Sequence, residues 1–403
     1  MLRRVFKAFQ YRDYRLLWFG SCTSSIGTWM QIVAQSWLVL ELSNSPRMLG
    51  LDAFLSTIPI VLFSLIGGVV ADRMDRRRLL ILSQWIQLSC AFSLAFLIHV
   101  HVIKVWYIFI LSFITGTAQA FGGPAYNALV PSLVDREDLP NALALQSIQF
   151  NVARVIGPVL GGIAYTTLGY TWCFALNGIS FLAPIISLTM LRIKFIPEKS
   201  AVSVLTSMKQ GFGFIRNQGA MVALIALAFC MTALGIPILT FLPVIAKAVF
   251  QSGLNPSIYV TMLVVSGAGA VAGSLIVAAL GNIANKGRVA LTMLICLGVA
   301  MAGFALSKFL ILSYILLFLA GIALIAVFTM IQSLVQLITG NEMRGRVMSV
   351  YNVAFRGGMP MGNLATGFLV PIFTAPVVLA VNGTLLFVLG LYFLMVQRKV
   401  AEL

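Results

Sequence analysis

The chain has 403 residues, 60% of them hydrophobic and 9% charged, with a formal charge of +16 from 27 Lys and Arg against 11 Asp and Glu. Soluble domains carry about 25% charged residues, so this composition excludes a string of soluble domains and makes the bilayer the solvent. The basic excess does not indicate nucleic acid either, because it sits in short loops between apolar runs, where it sets topology.

A membrane-spanning helix needs roughly 20 mostly apolar residues. Residues 1–15 are too basic for a signal-peptide core, with Arg3, Arg4, Lys7, Arg12 and Arg15 around Val5, Phe6 and Phe9. They predict a short arm with its apolar side toward lipid and its basic side toward anionic headgroups. Spans follow at 16–40, 48–71, 79–98, 105–134, 139–168 and 170–191, then a polar stretch at 192–218. Further spans fall at 219–246, 256–283, 289–307, 309–339, 347–372 and 375–397. This predicts an all-α membrane protein of twelve transmembrane helices in two six-helix bundles: residues 1–191, a linker at 192–218, and residues 219–403. Within the linker, Val204, Leu205, Met208, Phe212 and Ile215 recur at roughly helical spacing with Lys209 and Arg216 opposite. That pattern fits an amphipathic helix on the inner membrane surface, with a plain linker as the alternative.

Lys and Arg crowd one side. With the N-terminus inside, only Arg47, Lys104, Lys247 and Lys308 face outward, and Arg154 and Arg356 lie within spans. Both termini and the linker are then cytoplasmic. The location expected is the inner membrane of a bacterium.

The two halves repeat. Asn151-Val152-Ala153-Arg154 in span five is echoed by Asn352-Val353-Ala354-Phe355-Arg356 in span eleven, each followed by Gly and Pro. Upstream, Val134-Asp135-Arg136-Glu137 aligns with Thr339-Gly340-Asn341-Glu342. Related six-span halves suit a transporter with its substrate site near the midplane.

Charges and polar groups inside the spans carry the functional reading. A central charge costs about 2.5–3.5 kcal/mol on insertion scales. Arg154 and Arg356 both fall near mid-bilayer, and Asn151 and Asn352 lie about one turn from them. The arginines either hold an anionic substrate group, tune a proton carrier, or form a structural polar network. Gln31 and Gln35 in span one and Gln119 in span four add polar groups at similar depth, with Trp29, Phe121 and several Met around them. Such a lining suits bulky amphipathic molecules. Asp52 and Glu41 are the carboxylates of the external half, which makes them the candidates for proton loading.

Other chemistries lack parts. The five cysteines lie in apolar runs without a CxxC pair, which disfavours a disulfide framework or a metal site. Two histidines and no soluble domain leave little for an enzyme, and no GxxxxGK[ST] loop is present for ATP. No cofactor is expected.

Two motifs point to a family. Gly68-x-x-x-Asp72-Arg73-x-x-Arg76-Arg77 between spans two and three resembles the hallmark loop of the major facilitator superfamily, with Asp75 where many members have glycine. Gly157-Pro158-Val159-Leu160-Gly161-Gly162 resembles the GPxxGG motif of its exporter branches, a helix-bend and packing element. Phe9-x-x-x-x-Tyr14-Arg15-x-x-Trp18, Gly27-Thr28-Trp29-Met30-Gln31, Pro124-Ala125, Val130-Pro131, Asn141-Ala142 and Arg344-Gly345-Arg346-Val347-Met348-Ser349 are similar to the transmembrane secretion effector branch, which includes siderophore exporters and macrolide efflux proteins. The resemblance implies alternating access and a cytoplasmic latch in which Asp72 meets Arg344 or Arg346. It implies a monomer that exports a small drug- or siderophore-like molecule against protons. Importing a small solute on the same fold is the alternative. The second-half copy of the loop keeps Lys286-Gly287-Arg288 but lacks the acid, and span four lacks the superfamily's arginine.

Overall fold

The computed structural model describes residues 6–192, 204–250, 256–281, 285–340 and 343–403, with Asp72, residues 204–209 and Leu280 described as backbone only. Among these, every regular element is a helix. Backbone N–H and C=O groups find no water in lipid, so closing each hydrogen bond within its own segment is what a spanning chain requires. Ten helices are long and apolar enough to cross a membrane: those of spans two to ten and span twelve. The helices of spans one and eleven, Arg12–Ser43 and Arg344–Phe373, are 32 and 30 residues long but are not among the ten. They carry most of the polar groups named above.

Contacts divide the chain into two compact units. The first is Met1–Ser43 with Leu55–Ala201, and the second is Asn44–Phe54 with Val202–Leu403. The outer end of span two, which carries Asp52, thus packs within the second unit.

Several helix pairs in each unit meet through glycine, and one such pair in each involves the repeat-related spans five and eleven. A Cβ on Gly157 would collide with Trp29 and lie 2.9 Å from the carbonyl oxygen of Ile26, and one on Gly161 would lie 2.9 Å from the carbonyl oxygen of Met30. Span five therefore rests backbone-to-backbone on span one. In the second unit, a Cβ on Gly358 would lie 2.5 Å from the carbonyl oxygen of Phe229, and one on Gly362 would lie 2.6 Å from the carbonyl carbon of Ala233. Here span eleven rests on span seven in the same way. Lipid tails are as apolar as side chains, so burial alone does not hold helices together, and close approach through small residues supplies the contact.

The glycines also set the register of the repeat. Gly157 matches Gly358 and Gly161 matches Gly362, so Arg154 corresponds to Phe355 and Arg356 sits one residue later. One residue is about 100° around a helix of 3.6 residues per turn. The two arginines are therefore not equivalent: Arg154 is buried, whereas Arg356 is exposed.

Gly68 is not a packing glycine. A side chain there would meet open space, while its neighbour Gly67 abuts Ala120 and Phe121 of span four. The linker does form a helix, Val204–Arg216. Gly211 abuts Arg346 at the start of span eleven, Ile215 is buried and Phe212 is exposed. Val204, Leu205, Met208 and Lys209 lie outside the residues with described side chains.

Gly157→Ala and Gly362→Ala should each lower the melting temperature of the purified protein, since overpacking typically costs about 1–3 kcal/mol. Gly68→Ala and Gly123→Ala, which face open space, should melt with the wild type. A Gly157→Ala protein that melts unchanged would contradict the span-one contact.

Candidate substrate-binding site

The polar residues of the first unit form separate hydrogen-bonded groups rather than one cluster. Gln31 and Gln35 lie one turn apart on span one, and Gln31 donates to Gln35 at 3.2 Å. Gln35 donates to Ser112 of span four at 2.9 Å. Asn177 of span six donates to Gln31 at 2.6 Å, and Ser180 donates to Asn177 at 3.1 Å. Three spans are stitched together by amide and hydroxyl groups that would otherwise be unsatisfied in lipid. Gln119 belongs elsewhere: it is exposed and donates to Gln87 at 3.3 Å, while Gln87 reaches Ser83 on its own helix. A third group links Tyr126 and Ser25 through Gln149. Asn177, Ser112, Gln87 and Gln149 are among the members that sequence reading passed over; polar residues within otherwise apolar spans were the available signal.

Arg154 stands apart from these groups. It is 8% exposed and lies near the middle of Leu139–Leu168. Its guanidinium sits 5.9 Å from the centroid of the Trp29 ring, and Phe150, one turn earlier on span five, meets Trp29 edge-on at 6.0 Å. Gly157 makes this possible by leaving no side chain between the Trp29 stem and span five. Asn151 instead donates to the backbone of Ser147 at 2.9 Å. In the second unit Asn352 and Arg356 are both exposed, and Phe355 packs with Phe328 and Tyr351 at the place matching Arg154.

The two carboxylates expected on the external side differ from each other. Glu41 is exposed and accepts a hydrogen bond from the Tyr170 hydroxyl. Asp52 is 6% exposed, in a stretch where Gly50 abuts Asn363 and Gly367 of span eleven.

The hallmark loop works within the first unit. Asp75 caps span three by accepting from the Arg77 N–H at 2.9 Å, a role its side chain suits and glycine's lack of one does not. Arg76 donates to the Ala128 carbonyl at 3.0 Å, and Arg77 donates to those of Leu191 and Thr189 at 3.1 and 2.5 Å. These carbonyls end spans four and six, where unpaired C=O groups favour cations. Arg73 and Arg344 are exposed, and Arg346 reaches the Met343 sulfur at 3.2 Å. The Asp72 side chain, on which the latch turns, lies outside the described residues, as do Asn341 and Glu342 of the repeat.

The N-terminal arm departs from its expected lipid-facing role. Lys7 pairs with Asp138 at 2.7 Å, Gln10 and Tyr11 each donate to Asp138 at 2.9 Å, and Tyr11 donates to Asp135 at 2.8 Å. Asn141 accepts the Ala8 N–H at 2.8 Å, and Tyr14 donates to the Ala142 carbonyl at 2.8 Å. The arm is thus strapped to the start of span five. The loop before that span offers a buried acid, and an ion pair with it competes better than screened headgroups.

The hydrogen bond from Lys7 holds the Asp138 carboxyl below its ordinary range, and the same bond raises Lys7 above its own. Desolvation and the bond to Asp135 push the Tyr11 phenol up to about 12, so it stays a donor.

A model of the transmembrane secretion effector family matches residues 5–403. The chain belongs to this family of major facilitator transporters. It is 24% identical over 362 residues to the multidrug efflux pump Tap of Mycolicibacterium fortuitum, covering 87% of this chain and 88% of that one. It is 22% identical over 306 residues to macrolide efflux protein A of Streptococcus pyogenes, covering 74% of each. The fold is that of the nucleoside transporter NupG, with a TM-score of 0.73 at 16% identity over 95% of this chain and 98% of that one. The protein is thus a multi-pass membrane transporter, and its strapped arm and capped loop are details of a known fold.

Linkage gives the strap its pH range. A lowered acid contributes above its ordinary pKa and loses the contribution as pH falls through the folded value, and a raised lysine contributes until pH rises through its folded value. Amide-exchange protection of residues 6–15, corrected for intrinsic rates, should therefore hold from about pH 5 to about 9. Asp138→Asn should reduce that protection throughout. Equal protection in the variant would contradict the strap.

Proposed function

We propose that the protein exports a small amphipathic molecule from a bacterial cytoplasm by alternating access, in exchange for protons. Residues 1–191 and 219–403 would move as two bodies joined by 192–218, the protein working as a monomer in the inner membrane with both termini inside. The observation that carries this reading is the buried Arg154 beside Trp29 and the exposed Phe150, a cation packed among aromatic rings near the middle of a span in a family of secretion effectors. The efflux functions in the names of the relatives support export over uptake. Gln31, Gln35, Gln119, Asn151, Arg154, Asn352 and Arg356 are the cargo-contacting candidates. Asp52, buried near the outer face, is the first choice for the proton carrier and Glu41 the second. Gly68, Asp72, Arg73, Arg76, Arg77, Arg344 and Arg346 would serve the cytoplasmic gate, with Gly157, Pro158, Gly161 and Gly162 as scaffold.

Everted membrane vesicles given an acid interior should accumulate an amphipathic dye such as Hoechst 33342 several-fold over vesicles without the protein. Nigericin should abolish the accumulation, and Asp52→Asn should remove its dependence on the pH gradient. Accumulation indifferent to the gradient would overturn proton coupling, and net movement in the opposite direction would establish the importer.

A further inference from the structure

We propose that spans one and five carry an anion-recognition subsite, in which Arg154 takes a carboxylate, sulfonate or phosphate group of the cargo while Trp29 and Phe150 hold the adjoining aromatic or aliphatic part. This deepens the exporter reading and rests on it.

The first argument is an unbalanced charge. Among the described residues Arg154 has no carboxylate partner and no hydrogen bond, and its stated contact is the Trp29 ring. The described carboxylates of the first unit stand elsewhere. Asp13 pairs with Arg12 and accepts the Arg192 N–H, Glu41 accepts from Tyr170, Asp75 caps span three, and Asp135 and Asp138 hold the N-terminal arm. Glu137 is exposed in the loop before span five. A guanidinium presents five N–H donors and cannot shed its proton in a protein. Placed mid-span, it is costly unless an anion or water answers those donors. A ring face lowers that cost only in part and neutralises nothing.

The second argument is the neighbouring surface. Phe150 is 54% exposed, although its ring is fixed edge-on against Trp29. The Cβ of Trp29 lies in turn against Gly157, where a side chain would collide with it. A rigid aromatic ledge beside an unanswered cation matches a molecule with an anionic head next to an apolar body. The second unit shows what the same position looks like without this role. There Phe355, Tyr351 and Phe328 form an aromatic cluster with no cation in register. The subsite is thus a property of one half of the repeat.

The test uses two probes of nearly identical body, 8-anilinonaphthalene-1-sulfonate and the uncharged N-phenyl-1-naphthylamine. Their binding to protein in lipid nanodiscs is read by energy transfer from tryptophan, with empty nanodiscs subtracted. The wild type should prefer the sulfonate. Arg154→Gln should cut that preference about tenfold, and Arg154→Lys should cut it less. A wild type with no preference, which needs no variant to fold, overturns the subsite, and so does an Arg154→Gln protein of wild-type melting temperature with the preference intact. Export in everted vesicles separates this from the broader reading. A wild type that binds the sulfonate selectively but exports neither probe contradicts the exporter alone. An exporter whose choice between the probes is indifferent to Arg154→Gln contradicts the subsite alone.

Discussion

The contact on which the first unit depends is the meeting of span five with span one through Gly157 and Gly161. In lipid there is little gain in hiding apolar surface from apolar surface, so helices associate where backbones approach closely. At Gly157 the approach is close enough that a methyl group would strike Trp29. That contact sets where the Trp29 stem stands, and the Trp29 ring lies beside Arg154. The same device recurs where Gly358 and Gly362 seat span eleven on span seven. A packing motif thus bears on where a buried cation and two aromatic rings stand.

The end of the first unit that carries the hallmark loop is organised by charge spent on helix ends. Arg76 and Arg77 answer the last carbonyls of spans four and six, Asp75 answers the first amides of span three, and Lys7, Gln10 and Tyr11 close on Asp138. With Arg76 and Arg77 spent on helix ends, the loop has an internal role in addition to any gating role of Asp72.

Much of this was legible in the amino-acid order. Apolar runs marked the spans, because hydropathy over twenty residues reflects a solvent constraint that no tertiary contact overrides. Gln31 and Gln35 were read as polar lining of a cavity, and the structure has them hydrogen-bonded to each other, one turn apart on span one. Register was harder. Aligning the repeat on its charges paired Arg154 with Arg356, whereas the packed glycines pair Arg154 with Phe355. Charge can migrate by one position on a helix, but a glycine forced by backbone contact cannot. In the hallmark loop the close approach is made by Gly67, the neighbour of the motif's Gly68: the motif names a neighbourhood, and only the helix face decides which glycine touches. The arm was read as lipid-facing because its partner, Asp138, is 131 residues away in the chain. Asn177 was passed over because a lone amide in an apolar span carries no periodic signal.

A structure of the protein in nanodiscs with a bound anionic cargo would test most directly whether the glycine-seated Trp29 and Arg154 receive it. The anionic group should lie within hydrogen-bonding distance of the Arg154 guanidinium, with the apolar body against Trp29 and Phe150. Cargo bound elsewhere, with Arg154 held by a carboxylate of the protein itself, would contradict the account.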